Sequence, residues 1–171
     1  MVVQPEPKLI EGKAYGPPPQ SSAFSIQPAE EWPTYRHDNA RSGVTSTEIP
    51  EQLKVVWKTA LPGQPTAPVI ANGLLLTAVR NMHTVYALDS RTGELKWQFT
   101  ADGPVNSPPT CYGRLVLFGS RDGWVYCLDA QTGDLVWKFS DMPTVRLICD
   151  SEQLESAWPV NGSIMVKDGL A

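Results

Sequence analysis

Two histidines, three cysteines and no long apolar run leave this 171-residue chain poorly supplied for the commonest kinds of chemical site. Cys111, Cys127 and Cys149 form neither a vicinal pair nor a C-x-x-C, so metal and dithiol redox sites find no support. Three is an odd number, so at least one thiol stays unpaired even where disulfides form, and buried free thiols are the expected state. His37 and His83 bring no convergent partner with them. G-x-S-x-G, a phosphate-binding loop and H-E-x-x-H are all missing, which leaves hydrolase and nucleotide readings without residues. No stretch approaches the roughly 18 consecutive apolar residues that would span a bilayer. The opening MVVQPEPKLIEGK carries no apolar segment after a basic start of the kind that directs export. Cations are also scarce: 14 Lys and Arg against 18 Asp and Glu give a net charge of −4. They are scattered singly among acids, so no basic field for nucleic acid is expected.

Hydrophobic residues nevertheless make up 42% of the chain and charged residues only 19%, enough apolar material for one globular body. Residues 1–30 stand apart from it. Pro5, Pro7, the run Pro17 to Pro19 and Pro28 remove donors and fix φ, so this part reads as an extended arm or linker without a core.

From residue 53 onward the sequence repeats itself at an offset of 40. Trp57, Trp97 and Trp137 are spaced by it, and Tyr86, Leu88, Asp89, Thr92 and Gly93 reappear as Tyr126, Leu128, Asp129, Thr132 and Gly133. VYALDSRTGELKWQF aligns with VYCLDAQTGDLVWKF without a gap. Within each copy the apolar period is two, the period of a strand with one wet face: Leu95, Trp97 and Phe99 alternate with polar neighbours, as do Leu135, Trp137 and Phe139. The runs 74–78 and 115–119 are nearly all apolar, as strands covered on both faces should be. Asp89 to Gly93 and Asp129 to Gly133 read as tight turns, where the carboxylate accepts N–H bonds from residues ahead and the glycine supplies a positive φ. Each unit therefore predicts four short antiparallel strands, with blades at about 67–100 and 107–140. The fold class expected is all-β, a partial β-propeller of four-stranded blades, with residues 31–52 leading in and 53–171 forming the incomplete ring.

The block YALDxxTGxxxWxF at this spacing resembles the pyrroloquinoline-quinone-like repeats of the quinoprotein alcohol dehydrogenase superfamily, which also includes a propeller lipoprotein of bacterial outer-membrane assembly. WPTYRHDNARSG (32–43) looks like the segment before the first blade in bacterial members. The resemblance implies a ring of seven or eight blades in which Trp57, Trp97 and Trp137 dock blade on blade. It gives Asp89, Asp129, Thr92, Thr132, Gly93 and Gly133 a structural part in the outer turn. It also implies a setting in the periplasm or cell envelope. The quinone is not implied: the calcium acids, adjacent cysteines and catalytic aspartate of the dehydrogenases have no counterpart among these residues, and no catalytic residue, cofactor or metal is assigned.

Fewer than three blades are present and the repeat breaks off within the third, so a piece of a longer propeller protein is expected. Closure of the ring by self-association is the alternative. Gly113 and Gly169 are separated by 16 residues more than one repeat, an insertion placed within 141–163. Insertions in repeat proteins sit in loops on one face, often the binding face. Arg146, Asp150, Glu152, Glu155 and Trp158 are the candidate ligand-loop residues, against the plainer reading of a solvated excursion containing a short helix. The expected function is a non-catalytic interaction or envelope scaffold whose partner is a protein or the remaining blades. The alternatives are the N-terminal piece of a quinone-dependent dehydrogenase and a propeller fused to a separate enzyme domain.

Overall fold

The computed structural model describes residues 8–16, 31–150 and 153–171. The triple-proline run of the arm and Glu152 lie outside the described residues.

Two antiparallel sheets carry the repeat. The first, here blade 1, is a four-stranded meander of β2 (Val69–Ala71), β3 (Leu74–Val79), β4 (Thr84–Asp89) and β5 (Leu95–Thr100). Blade 2 repeats it with β6 (Thr110–Tyr112), β7 (Leu115–Gly119), β8 (Val125–Asp129) and β9 (Leu135–Ser140). The arm adds a fifth strand to blade 2: β1 (Lys8–Glu11) runs antiparallel to β9, with all four of its residues exposed. An extended arm was expected from the prolines; its seat on a blade edge was not. The third sheet is a two-stranded hairpin, β10 (Leu147–Asp150) and β11 (Gln153–Ser156), inside the insertion. It replaces the short helix considered for that stretch, with Leu147 paired to Ser156, Ile148 to Glu155 and Cys149 to Leu154. Among the described residues no helix is long and apolar enough to cross a membrane.

The strict offset of 40 describes only the outer strands. Val69 pairs with Leu76 in blade 1 and Thr110 with Leu117 in blade 2, so the inner hairpins are 41 apart. Ala87 pairs with Trp97, and Cys127 with Trp137, at 40. The connection between the middle strands absorbs the difference. Residues 80–83 form a short 3-10 turn in blade 1, while Ser120 N–H donates to the Trp124 carbonyl in blade 2 and closes a loop of three residues. A residue aligned by sequence identity in the inner strands, such as Leu75 with Leu115, is therefore one place off in space.

The main core lies between the blades. Val69, Leu76, Ala78, Val85, Ala87 and Trp97 of blade 1 face Val116, Phe118, Tyr126 and Leu128 of blade 2, all buried. Phe118 and Tyr126 stack with ring centroids 5.2 Å apart, and Phe99 meets both edge-on. The far face of blade 2 carries a smaller cluster, Leu117 and Cys127 with Trp137, covered by Ile164 and Val166 from beyond the insertion. The lead-in segment pins that cover: Asn39 and Arg41 donate to the carbonyls of Val166 and Ser163 at 2.7 and 3.1 Å, and the Thr34 and Thr110 hydroxyls lie 2.9 Å apart. Residues 53–59 form no ladder among the described residues, and Leu53, Val55 and Val56 are exposed.

Candidate functional site

Antiparallel meanders deliver their connections to two ends. At one end lie the two Asp-Thr-Gly turns. Asp89 accepts N–H bonds from Arg91 and Thr92 at 3.0 and 3.1 Å, and Asp129 from Gln131 and Thr132 at 2.9 and 3.1 Å. The threonine hydroxyls accept in turn from the N–H of Glu94 and Asp134. Both carboxyls titrate below the ordinary value of 3.8. For Asp89 the leading cause is the pair of backbone bonds from Arg91 and Thr92. Burial alone pushes the Asp129 carboxyl up, but the Arg114 guanidinium, bonded through Nε at 2.7 Å, and the two backbone N–H groups outweigh it.

Each turn receives an indole from the preceding repeat. Trp57 Nε1 donates to the Ser90 carbonyl at 3.1 Å, and Trp97 Nε1 to the Ala130 carbonyl at 2.8 Å. The rings lie over the turn glycines, where a Cβ on Gly93 would come within 2.5 Å of the Trp57 ring and one on Gly133 within 2.7 Å of the Trp97 ring. Both glycines also hold φ near +74°, so two independent reasons require glycine there. Trp137, at the far face of blade 2, has no hydrogen bond to its indole N–H among the described residues.

At the other end the middle-strand loops meet the insertion. Arg121 draws the hairpin onto the blade: its guanidinium pairs with Glu155 and lies 3.1 Å from Asp150. The Glu155 side chain is only 4% exposed, so the pair with Arg121 offsets the cost of taking its carboxylate out of water. Ser156 N–H donates to the Arg121 carbonyl at 2.7 Å and Val160 N–H to the Ser120 carbonyl at 3.1 Å, which closes the seat. The candidates from the insertion thus separate. Asp150 and Glu155 converge on Arg121, whereas Arg146 lines a cleft of about 260 Å³ with Lys8, Asp122, Trp124 and Met142. Trp158 is exposed beside neither group, its N–H held by Ser156 Oγ at 3.1 Å. Leu147 and Leu154 of the hairpin, and Val145 just before it, are 59, 66 and 79% exposed, and Val145 and Leu147 also border that cleft.

A cationic and aromatic cluster borders the cleft and was not legible from spacing. Lys138 Nζ sits 4.8 Å from the Trp124 ring centre, 5.4 Å from that of Tyr126 and 3.1 Å from the Asp102 carboxylate. Tyr126 Oη bonds Asp122 at 2.5 Å, and burial first, then Asp122, raises its pKa. The one sequence signal was Lys138 on the wet parity of β9, directly opposite Tyr126. Among the described residues no three His, Cys, Asp or Glu side chains converge as a metal site would require. Cys111, Cys127 and Cys149 are all free thiols.

A family model described as outer membrane protein assembly factor BamB matches residues 47–159, about two thirds of the chain. No curated protein matches. Among solved structures, the quinohemoprotein alcohol dehydrogenase ADHIIG from Pseudomonas putida HK5 superposes with a TM-score of 0.64 at 20% identity, over 82% of this chain and 22% of that one. The quinohemoprotein alcohol dehydrogenase from Comamonas testosteroni gives 0.63 at 22% identity, over 81% and 22%. BamB from Moraxella catarrhalis aligns at 30% identity over 42% of this chain and 22% of that one, with a TM-score of 0.38. The chain therefore spans about a fifth of the length of these proteins. The likeness to the two dehydrogenases is one of fold.

Proposed function

The chain belongs to the family described as outer membrane protein assembly factor BamB, within the pyrroloquinoline-quinone-like propellers, and from that premise we propose that it works as a non-catalytic protein-interaction scaffold. The observation that carries this reading is the insertion hairpin. Arg121 ties its inner side to the blade end while Val145, Leu147 and Leu154 stay exposed. Exposed apolar side chains gathered on an anchored loop are what a protein partner buries. An envelope setting is supported by the family's description alone.

The tryptophans and turns serve in this reading as clasps between blades. Trp57 and Trp97 each close on a neighbour's turn, and the face bearing Trp137 is the place for a further blade. The chain is read as one part of a larger ring, a reading supported by the small share of each related structure that it covers.

A photo-crosslinking residue at Leu154, with a control at Gln131 on the opposite end of blade 2, tests the scaffold. The expected result, in the protein's own host, is a discrete protein adduct at Leu154 that is absent at Gln131 and lost when Leu147 becomes Ser. Saturable binding of pyrroloquinoline quinone with calcium, together with dye-linked alcohol oxidation, would overturn it.

A further inference from the structure

The arm shows how a blade edge of this protein accepts a strand. β1 pairs Leu9 with Phe139, Ile10 with Lys138 and Glu11 with Trp137. Beyond it, Gly12 N–H donates to the Val136 carbonyl at 2.8 Å and Ala14 N–H to the Leu135 carbonyl at 2.9 Å. Lys13 Nζ finishes the contact 3.2 Å from Asp134. Gly12 is required by close approach, since a Cβ there would overlap the Leu135 carbonyl. Recognition is mostly main chain, with a few side chains setting register, which is the logic of strand addition.

Blade 1 carries the same edge. β5 is the last strand of its sheet, with no neighbour beyond it among the described residues. Leu95, Trp97 and Phe99 repeat Leu135, Trp137 and Phe139, Glu94 stands for Asp134, and Thr100 for Ser140. The backbones match too. The ladder between β4 and β5 shifts register between Ala87 and Leu88, and that between β8 and β9 shifts at the equivalent Cys127 and Leu128. What differs is cover: Leu95 is 52% exposed, while Leu135 beneath the arm is half-buried. Natural edges are commonly blunted by an outward lysine or a proline. β5 has no proline, and its one cation, Lys96, is drawn to Asp89 at 3.3 Å.

We infer that the outer edge of blade 1 is a strand-acceptor site for another polypeptide, taking an extended segment of the pattern apolar, apolar, acid, glycine, lysine. By the repeat, the incoming residues equivalent to Leu9, Ile10 and Glu11 pair with Phe99, Gln98 and Trp97, and the lysine reaches Glu94. This edge lies on the circumference, away from the hairpin, and the inference does not depend on the scaffold reading.

The probe is a fluorescent peptide of residues 5–15, titrated into the full chain, with hydrogen exchange followed on both outer strands. The expected result is saturable one-to-one binding, with amides of 95–100 becoming several-fold more protected and those of 135–140 unchanged. A peptide with Gly12→Val should not bind. Glu94→Lys, an exposed change whose fold is checked by circular dichroism, should weaken binding several-fold. Absence of binding at millimolar peptide, or protection gained only at 135–140 by exchange with the chain's own arm, would overturn the inference.

Discussion

The indole N–H of Trp97 donates to the backbone carbonyl of Ala130 at 2.8 Å, across the boundary between two repeats. Forty residues upstream Trp57 does the same to Ser90 at 3.1 Å. Ala130 is buried, so its carbonyl has no water to turn to if the donor is lost. Trp97→Phe removes the donor and leaves a smaller ring in a buried seat, and should lower unfolding stability by at least roughly 1–3 kcal/mol. Trp57→Phe should cost less, because that indole is only half-buried. Urea denaturation with an unchanged m-value is the check.

Gly133→Ala should also destabilise, by about 1–2 kcal/mol for the left-handed backbone and more for the displaced ring. Gly133 has φ of 73°, and the added Cβ would stand 2.7 Å from the Trp97 ring. Combined with Trp97→Ala, the two losses should sum to less than their separate values, since both act on one contact.

Acid should reach the turns through Asp129. Its folded carboxyl lies below the ordinary value of 3.8, so at neutral pH it is ionised in folded and unfolded chains alike and its bonds contribute fully. As pH falls below that value the unfolded chain takes up the proton first, and the stabilisation fades until the folded carboxyl is protonated too. Stability should therefore fall on acidification below about pH 4, and Asp129→Asn should show a shallower fall while being less stable at pH 7. Thermal melts across that range decide it.

Arg121→Met leaves the Glu155 carboxylate without its partner in a nearly dry seat. Breaking a buried pair typically costs about 3–5 kcal/mol, and here the cheaper response is for the hairpin to lift off. Hydrogen exchange in β10 and β11 should quicken while β7 and β8 keep their protection. Equal loss in all four strands would count against a separately anchored hairpin.

Thiol reactivity should divide one to two. Cys149 is exposed, whereas burial pushes the thiols of Cys111 and Cys127 up to about 12. A disulfide reagent at pH 8 should react quickly with one thiol, and with the other two only on unfolding.

The strands and the indole positions were legible because period two and a 40-residue recurrence survive without any tertiary information. Other features needed coordinates. Gly73 and Gly113 match in sequence, but the turn in blade 1 is Asn72-Gly73 and that in blade 2 is Gly113-Arg114, so the inner hairpin slides by one residue and sequence-matched residues such as Leu75 and Leu115 fall on opposite faces. In the insertion, the meeting of Asp150 and Glu155 was hidden because its organiser, Arg121, lies in a loop of the preceding sheet. β1 escaped notice because Leu9 and Ile10 are too short a run, among prolines, to signal a strand that draws its stability from another edge.

Indole N–H exchange, read from the nitrogen-15 spectrum of the full chain, tests the stacking of successive repeats most directly. Trp97 should exchange slowest and Trp57 faster, with Trp137 faster still because its N–H bonds no described residue. Rapid exchange at Trp97, or Trp137 protected as strongly as Trp97, would contradict the clasped-blade account.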